Sequence, residues 1–568
     1  MNYFKELHTG KRRYIPASLW LDGYSLKIFG SDTIAGITLA AYAIPVSLAY
    51  ATLAGLPPQY GIYGYLLGGI FYAMVGTSRH LAVGPTSAIS LLIGTTISGM
   101  ANGDIQRWAD IASLTAFVFA ALSVLAYLLR LSSIINFISE NVLLGFKAGA
   151  AITIGLTQLP KLFAVPGGGK NVYERVESLI LQLPQTNLYV FLFGLSAIAL
   201  IYFGQKIFPG KPIAILIVIA SIIIVLLTTI DDHGFQIVGP LHAGLPELYI
   251  PSLHINEIES VVPLAFACFL LAYVESVSAA KALAQKNGYE IDPRQELLAI
   301  GLANLATAFG HGYPISGGLS QSAVNDRAGA KTPMSLVMAS LTIALCLLFL
   351  TGMLKDLPLV ILAAIVLVAI GGLVDVKEFI RLFRVNRFDF GIAMVALISV
   401  VIFGILWGVV IAALASLLLI IRIVSNPHVA FLGRIPGTKR YTDLKRHPDN
   451  ESIPGVLLFR VEAPLLYFNV STVYNNIMLK IKSMDSSIKM AIFDLSTSAY
   501  IDSSGAKFIK KLYLDLHERG IALKICEAHS EVRDILRYED IEHLIGHVSR
   551  RDSLDEIVNA VSLPEGTE

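Results

Sequence analysis

Apolar runs recur from about residue 30 to residue 425, separated by short polar stretches. The uncharged stretches at 111–129, 186–205, 213–230 and 335–354 are each long enough to cross about 30 Å of hydrocarbon as a helix rising 1.5 Å per residue. The stretch 390–421 is uncharged for 32 residues. That is too long for one untilted span, and its centre holds Gly404 and Gly408, so it reads as two short helices. With the weaker, Gly- and Pro-broken runs included, the pattern predicts 14 segments. Beyond 425 the period changes. Strands are predicted at 456–461, 489–494 and 521–526, and a helix at 503–517 with Ala506, Ile509, Tyr513 and Leu516 on one face.

Charge orients these segments, because cytoplasmic loops carry an excess of Lys and Arg. With the N-terminus inside, alternate loops hold Lys5, Lys11, Arg12, Arg13, Lys27, Arg79, Arg130, Lys206, Lys211, Lys281, Lys286, Arg294, Arg327, Lys331, Lys377, Arg381, Arg384 and Arg387. The intervening loops hold Arg107, Lys161, Lys170, Arg175 and Lys355. The split is 18 against 5, so both termini are expected in the cytoplasm of a multi-pass protein of the plasma (inner) membrane. Residues 1–30 read as a cytoplasmic lead-in, with Trp20 and Tyr24 at the interface, 31–425 as the membrane domain and 431–568 as a cytoplasmic domain. Composition agrees with a bilayer setting: 55% of residues are hydrophobic, 15% are charged, and mean hydropathy is +0.66. Cys268, Cys346 and Cys526 form no disulfide framework. The absence of a basic cluster argues against nucleic acid. The irregularly spaced His233, His242 and His254 read as a surface loop, not a metal site, and no cofactor or enzymatic nucleophile is indicated.

Two segments, 79–100 (RHLAVGPTSAISLLIGTTISGM) and 310–328 (GHGYPISGGLSQSAVNDRA), begin as Gly- and Pro-punctuated chain and become short Ser- and Thr-rich helices. Pro85 suits a first helical turn, and Gly317 and Gly318 permit close approach. They are the third and tenth of the 14 segments, hence equivalent positions in two halves of seven. An odd number per half inverts the second half in the membrane, the pattern of an inverted repeat whose broken helices meet at the midplane. Each broken helix leaves unpaired N–H groups and about half a positive charge at its start. Two such starts facing one another make an anion site without metal or lysine. The site is expected around Gly84, Thr86, Ser87, Gly318, Leu319, Ser320 and Gln321, with hydroxyls also from Ser322 and flanked by Tyr42 and Ser47 of the first span.

The stretches GITLAAYAIPVSLAYATLAGLPPQYGIYGYLLGGIFYAMVGTSRHLAVGPTSAISLL, ESVSAAKALA and GLANLATAFGHGYPISGGLSQSAVNDRAGAKT resemble the SulP family of sulfate permeases and related anion exchangers. The resemblance covers nearly the whole chain. It implies a polytopic α-helical membrane protein, with 14 transmembrane segments as 7+7 inverted repeats in the uracil-carrier manner. It further implies a core and a gate domain, frequent homodimers and an elevator-like motion. Two departures stand out. Many relatives read Ile-Pro-Gln-Ser in the first span where this chain has Ile44, Pro45, Val46 and Ser47. The usual Ser-Arg-Ser of the tenth segment is Ser320, Gln321 and Ser322 here. Without that arginine, two helix ends supply about one positive charge, enough for a monoanion but poor for a bare dianion. The tail segment FDLSTSAYIDSSGAKFI resembles a STAS domain, a small α/β module. In signalling members of that family the serine before the glycine is phosphorylated, here Ser504. Its residue types also suit a plain helix start, with Asp502 as cap.

Glu275 lies in the eighth segment, 261–284. A carboxyl at membrane depth is costly when charged and marks a pathway or a partner. Lys281, six residues on, is about 240° around the helix and is a poor partner. Relatives with an acid here use it for cation coupling, and a lone glutamate points to protons over sodium. The reading is thus a secondary active anion transporter with sulfate as the family default, proton-coupled through Glu275. The alternatives are a bicarbonate, chloride or dicarboxylate carrier or exchanger, or a passive anion channel on the same scaffold.

Overall fold

A computed structural model describes residues 16–21, 23–97, 100, 104–132, 140–169, 171–208, 213–227, 234–239, 244–252, 254–484, 488–549 and 553–562. Most of the lead-in, with Lys5, Lys11, Arg12 and Arg13, lies outside these residues, as do Lys170, Lys211, His233 and His242. The chain forms two compact units, Met1–Ser416 and Leu417–Glu568.

From Leu26 to Ser425, one-turn helices aside, the order is α1 (Leu26–Leu53), α2 (Gln59–Val75), β1 (Val83–Gly84), α3 (Ser87–Ile97), α4 (Ile105–Leu128), α5 (Glu140–Phe163), α6 (Val172–Gln182), α7 (Leu188–Ile207), α8 (Ile213–Leu227), α9 (Ile255–Asn287), α10 (Pro293–Phe309), β2 (Ser316–Gly317), α11 (Leu319–Arg327), α12 (Met334–Phe349), α13 (Leu359–Gly371), α14 (Val376–Val385) and α15 (Arg387–Ser425), whose last turns fall in the second unit. Among the described residues, seven helical stretches are long and apolar enough to cross a membrane, and shorter apolar helices include α3, α8 and α12. The predicted break in 390–421 falls at Gly404, whose φ of 80° a side chain would strain, and it divides α15 in two. Two short amphipathic helices, α6 and α14, have no counterpart in the predicted elements. In α14, Val376, Ile380 and Phe383 are exposed on a helix that also carries Lys377, Arg381 and Arg384, the composition of an interfacial helix.

Helix α10 packs on α4 and α2, and α1 on α12, so elements far apart in sequence enclose one core running from Leu39 to Val400. Buried carboxylates tie its loops. Asp32 accepts from Lys331 N at 2.7 Å, Thr332 N at 3.1 Å and Thr332 Oγ1 at 2.6 Å.

In the second unit, β3 (Val429–Arg434), β4 (Tyr441–Asp443), β5 (Val456–Val461), β6 (Met490–Asp494) and β7 (Ala522–Cys526) form one sheet in the order β4-β3-β5-β6-β7. The β5–β6–β7 ladder is parallel, with Leu458 opposite Ile492 and Phe493 opposite Ile525, while β3 and β4 extend it antiparallel. Helices α16 (Val470–Ser483), α17 (Ser503–His517) and α18 (Ser530–Tyr538) cover one face through Val473, Ile477, Ile509, Leu512 and Leu536. Asp502 caps α17 by accepting from Gly505 N at 2.7 Å, and Ser504 lies half-buried in the first turn.

Candidate functional site

The two Gly- and Pro-punctuated segments meet. Strand β1 pairs antiparallel with β2, Val83 opposite Gly317 and Gly84 opposite Ser316. Because the strands run in opposite senses, α3 and α11 leave the crossing in opposite directions, and both helix starts face it. Glycine is required at Gly84. A Cβ there would meet the ring of Tyr65, itself 1% exposed. Side chains from each segment bind the other. Gln321 Nε2 donates to the Pro85 carbonyl at 2.5 Å, Ala82 N donates to Ser322 Oγ at 2.8 Å, and Thr86 Oγ1 lies 3.0 Å from Ser316 Oγ. No side chain caps α11, whose Gly318 carbonyl accepts the first helical bond from Ser322 N. The Thr86 carbonyl accepts from Ser90 N, so α3 begins at Ser87. Pro85 therefore sits ahead of the helix and not in its first turn, because its carbonyl is taken up by Gln321.

Glu275 of α9 reaches this crossing. Its Oε2 accepts from Ser316 Oγ at 3.2 Å, and Thr86 is a further hydroxyl neighbour. The adjacent Ser276 Oγ accepts from Gly317 N at 2.7 Å, which seats β2 on α9. A fully buried glutamate makes an instructive contrast. Glu296 of α10 accepts from Tyr72 OH at 2.7 Å, Thr77 N at 2.8 Å, Thr77 Oγ1 at 2.5 Å and Ser78 N at 3.2 Å. Four donors fix Glu296 as a structural tie between α10 and the C-terminal end of α2. Glu275 is held far more lightly and keeps accessible surface.

The remaining residues expected at the site are placed as follows. Gly84, Thr86, Ser87, Gly318 and Gln321 lie at the crossing. Thr86, Ser87 and Gln321 are buried, and Gln321 Oε1 has no hydrogen-bond partner among the described residues. Leu319 and Ser320 are exposed at the start of α11, so the crossing is open on that side. Ser322 acts as a clamp between the segments, not as a free donor, since its hydroxyl also donates to Gly318 O at 2.7 Å. On α1, half-buried Tyr42 and buried Tyr50 are electrostatic neighbours, and Tyr50 also interacts with Ser87, Glu275 and Tyr313. Ser47 is buried where α1 crosses α2 at Gly61. The cation whose field acts on Glu275 is Lys147 of α5, not Lys281. Lys147 belongs to neither side of the loop-charge tally, and its place inside an otherwise uncharged stretch, 141–160, is the signal that marks it.

Opposed broken helices, a lightly held carboxyl beside them and a sheet-containing tail define a helical membrane transporter with an appended α/β domain. The chain belongs to the sulfate permease family, whose model matches residues 29–396, and a STAS domain matches residues 447–556. It is 33% identical to "Probable sulfate transporter 4.2" of Arabidopsis thaliana, over 97% of this chain and 85% of that protein. It is 30% identical to "High affinity sulfate transporter 1" of Stylosanthes hamata, over 96% of this chain and 85% of that protein. In fold it is similar to the murine Solute Carrier 26 family member A9 anion transporter, with a TM-score of 0.89, 21% identity and coverage of 98% and 96% of the two chains. It is also similar to the transmembrane domain of the cyanobacterial bicarbonate transporter BicA, with a TM-score of 0.60, 20% identity and coverage of 69% and 98%.

Proposed function

We propose that this chain is a secondary active transporter of small anions, sulfate first, which carries a proton with its cargo on Glu275 and moves both by an elevator-like displacement. The observation that carries the reading is the β1–β2 crossing. It sets the starts of α3 and α11 against one another, with Glu275 hydrogen-bonded to Ser316 between them. Anions bind at such starts without a metal. The anion would sit among Gly84, Thr86, Ser87, Gly318, Leu319, Ser320 and Gln321, with Tyr42 and Ser47 behind. The sulfate transporters among its relatives favour sulfate as cargo.

We further infer 14 segments in two inverted halves of seven: α1–α5, α7 and α8, then α9–α13 and the two parts of α15. In that arrangement α3 and α11 are third in their halves. We assign 1–30 to a cytoplasmic segment, 31–425 to core and gate, and 431–568 to a cytoplasmic STAS domain. Both termini lie inside at the plasma (inner) membrane, and the protein works as a homodimer.

The test is sulfate uptake into proteoliposomes under an inward proton gradient. Glu275→Gln is expected to keep anion binding and to lose the acceleration by the gradient. Gradient-driven accumulation that persists in Glu275→Gln would refute the coupling, and a passive channel would show no accumulation in the wild type.

A further inference from the structure

We propose that Lys147 is the third positive element of the anion site, supplying to a divalent cargo the side-chain charge that Gln321 does not provide. The inference rests on the anion-carrier reading above and deepens it.

Lysine inside an apolar helix is costly unless it faces a partner or a water-filled space. The direction of Lys147 is set by its neighbours on α5. Ile152, 44% exposed, marks the outer face of the helix, and Lys147, five residues earlier, is about 140° away from it. Gly145 and Gly149 face Ala393, Leu397 and Val400 of α15, and each is about 160° from Lys147 around the helix. Leu143, Ala150, Ala151 and Ile154, which surround Lys147 on the wheel, are all buried in the main core. The side chain therefore points inward, on a helix that packs against α3. On that buried face Lys147 itself keeps accessible surface, as do Tyr42, Glu275, Leu319 and Ser320 around the crossing. Lys147 interacts electrostatically with Glu275 from beyond salt-bridge distance.

Charge arithmetic then distinguishes two states. The starts of α3 and α11 supply about half a charge each, and Lys147 supplies one. With Glu275 protonated the site carries roughly two positive charges, a match for a dianion, and with Glu275 ionised it carries roughly one. Besides Lys147, the titratable group that interacts with Glu275 is the phenol of Tyr50 on α1, which in turn neighbours the phenols of Tyr42 and Tyr313; phenols ordinarily ionise only near pH 10. Cargo charge and proton are thereby linked: a dianion enters with the proton and leaves when Glu275 gives it up.

The experiment measures binding of sulfate and of chloride to the full-length purified protein by calorimetry, with a thermal melt to confirm folding. Lys147→Met should weaken sulfate by about tenfold or more, the effect of one charge at several ångströms, and leave chloride within about threefold. Lys147→Arg should retain sulfate binding, and Lys147→Met combined with Gln321→Arg should restore it. Sulfate affinity unchanged in Lys147→Met would overturn the proposal. So would an equal loss of both anions that Gln321→Arg does not repair. Wild-type protein that binds neither anion would instead remove the anion-carrier reading itself.

Discussion

Replacing Gly84 with alanine tests whether the crossing is what holds the helix starts in place. The new Cβ would stand 3.0 Å from Tyr65 Cγ, with Cδ2 and Cε2 nearer still, where ordinary carbon contacts are about 3.5 to 4.0 Å. Tyr65 cannot yield into solvent, because it is 1% exposed and is one of the largest fully buried side chains. Either the ring leaves its rotamer or β1 is pushed away from α2, and overpacking of this kind costs about 1–3 kcal/mol. Movement of β1 takes the Gly84–Ser316 pairing and the start of α3 with it, so sulfate affinity should fall together with stability. The assay is thermal unfolding of the detergent-purified protein with and without sulfate, for Gly84→Ala, Tyr65→Leu and the double variant. If the argument holds, Tyr65→Leu relieves part of the alanine's cost, giving a coupling above about 0.5 kcal/mol. Strict additivity, or wild-type melting and sulfate stabilisation in Gly84→Ala, would refute it.

Two further outcomes follow for the tail. Asp502→Ala removes the cap on Gly505 N and should cost the tail about 1 kcal/mol, read as a lower unfolding midpoint in denaturant. Burial alone would raise the Asp443 carboxyl, but the Lys445 N–H and His428, at 2.9 Å each, outweigh it and hold it below its ordinary value. A carboxyl depressed by folding stabilises the fold above its unfolded value and gives that stability up as pH falls through the folded one. Asp443→Asn should therefore lower the tail's calorimetric transition at pH 7, with the difference fading below about pH 4.

How much was legible in the sequence follows from the range of each interaction. The broken segments, the division of α15 and helix α17 are written in local chemistry: Pro85, Gly317 and Gly318 in the first case, Gly404 in the second, Asp502 and the spacing of Ala506, Ile509 and Leu516 in the third. Glu296 was not singled out because its four donors come from Tyr72, Thr77 and Ser78, more than 200 positions away. Lys147 was missed for a different reason. Loop tallies ignore a cation in mid-span, and only the inward orientation of α5 shows which way it faces. Helix α14 is short and strongly amphipathic, so a search for long uncharged runs passes over it.

The crossing also has a consequence for how the protein is made. The bonds Ala82–Ser322 and Pro85–Gln321 span 240 and 236 positions, so none can form until the ribosome has delivered the second half of the membrane domain. Until then β1 lacks its partner strand, and irregular backbone left unpaired at membrane depth is costly. Biogenesis of this chain therefore has an interval, measured in translation time, during which a segment exists before its natural partner does.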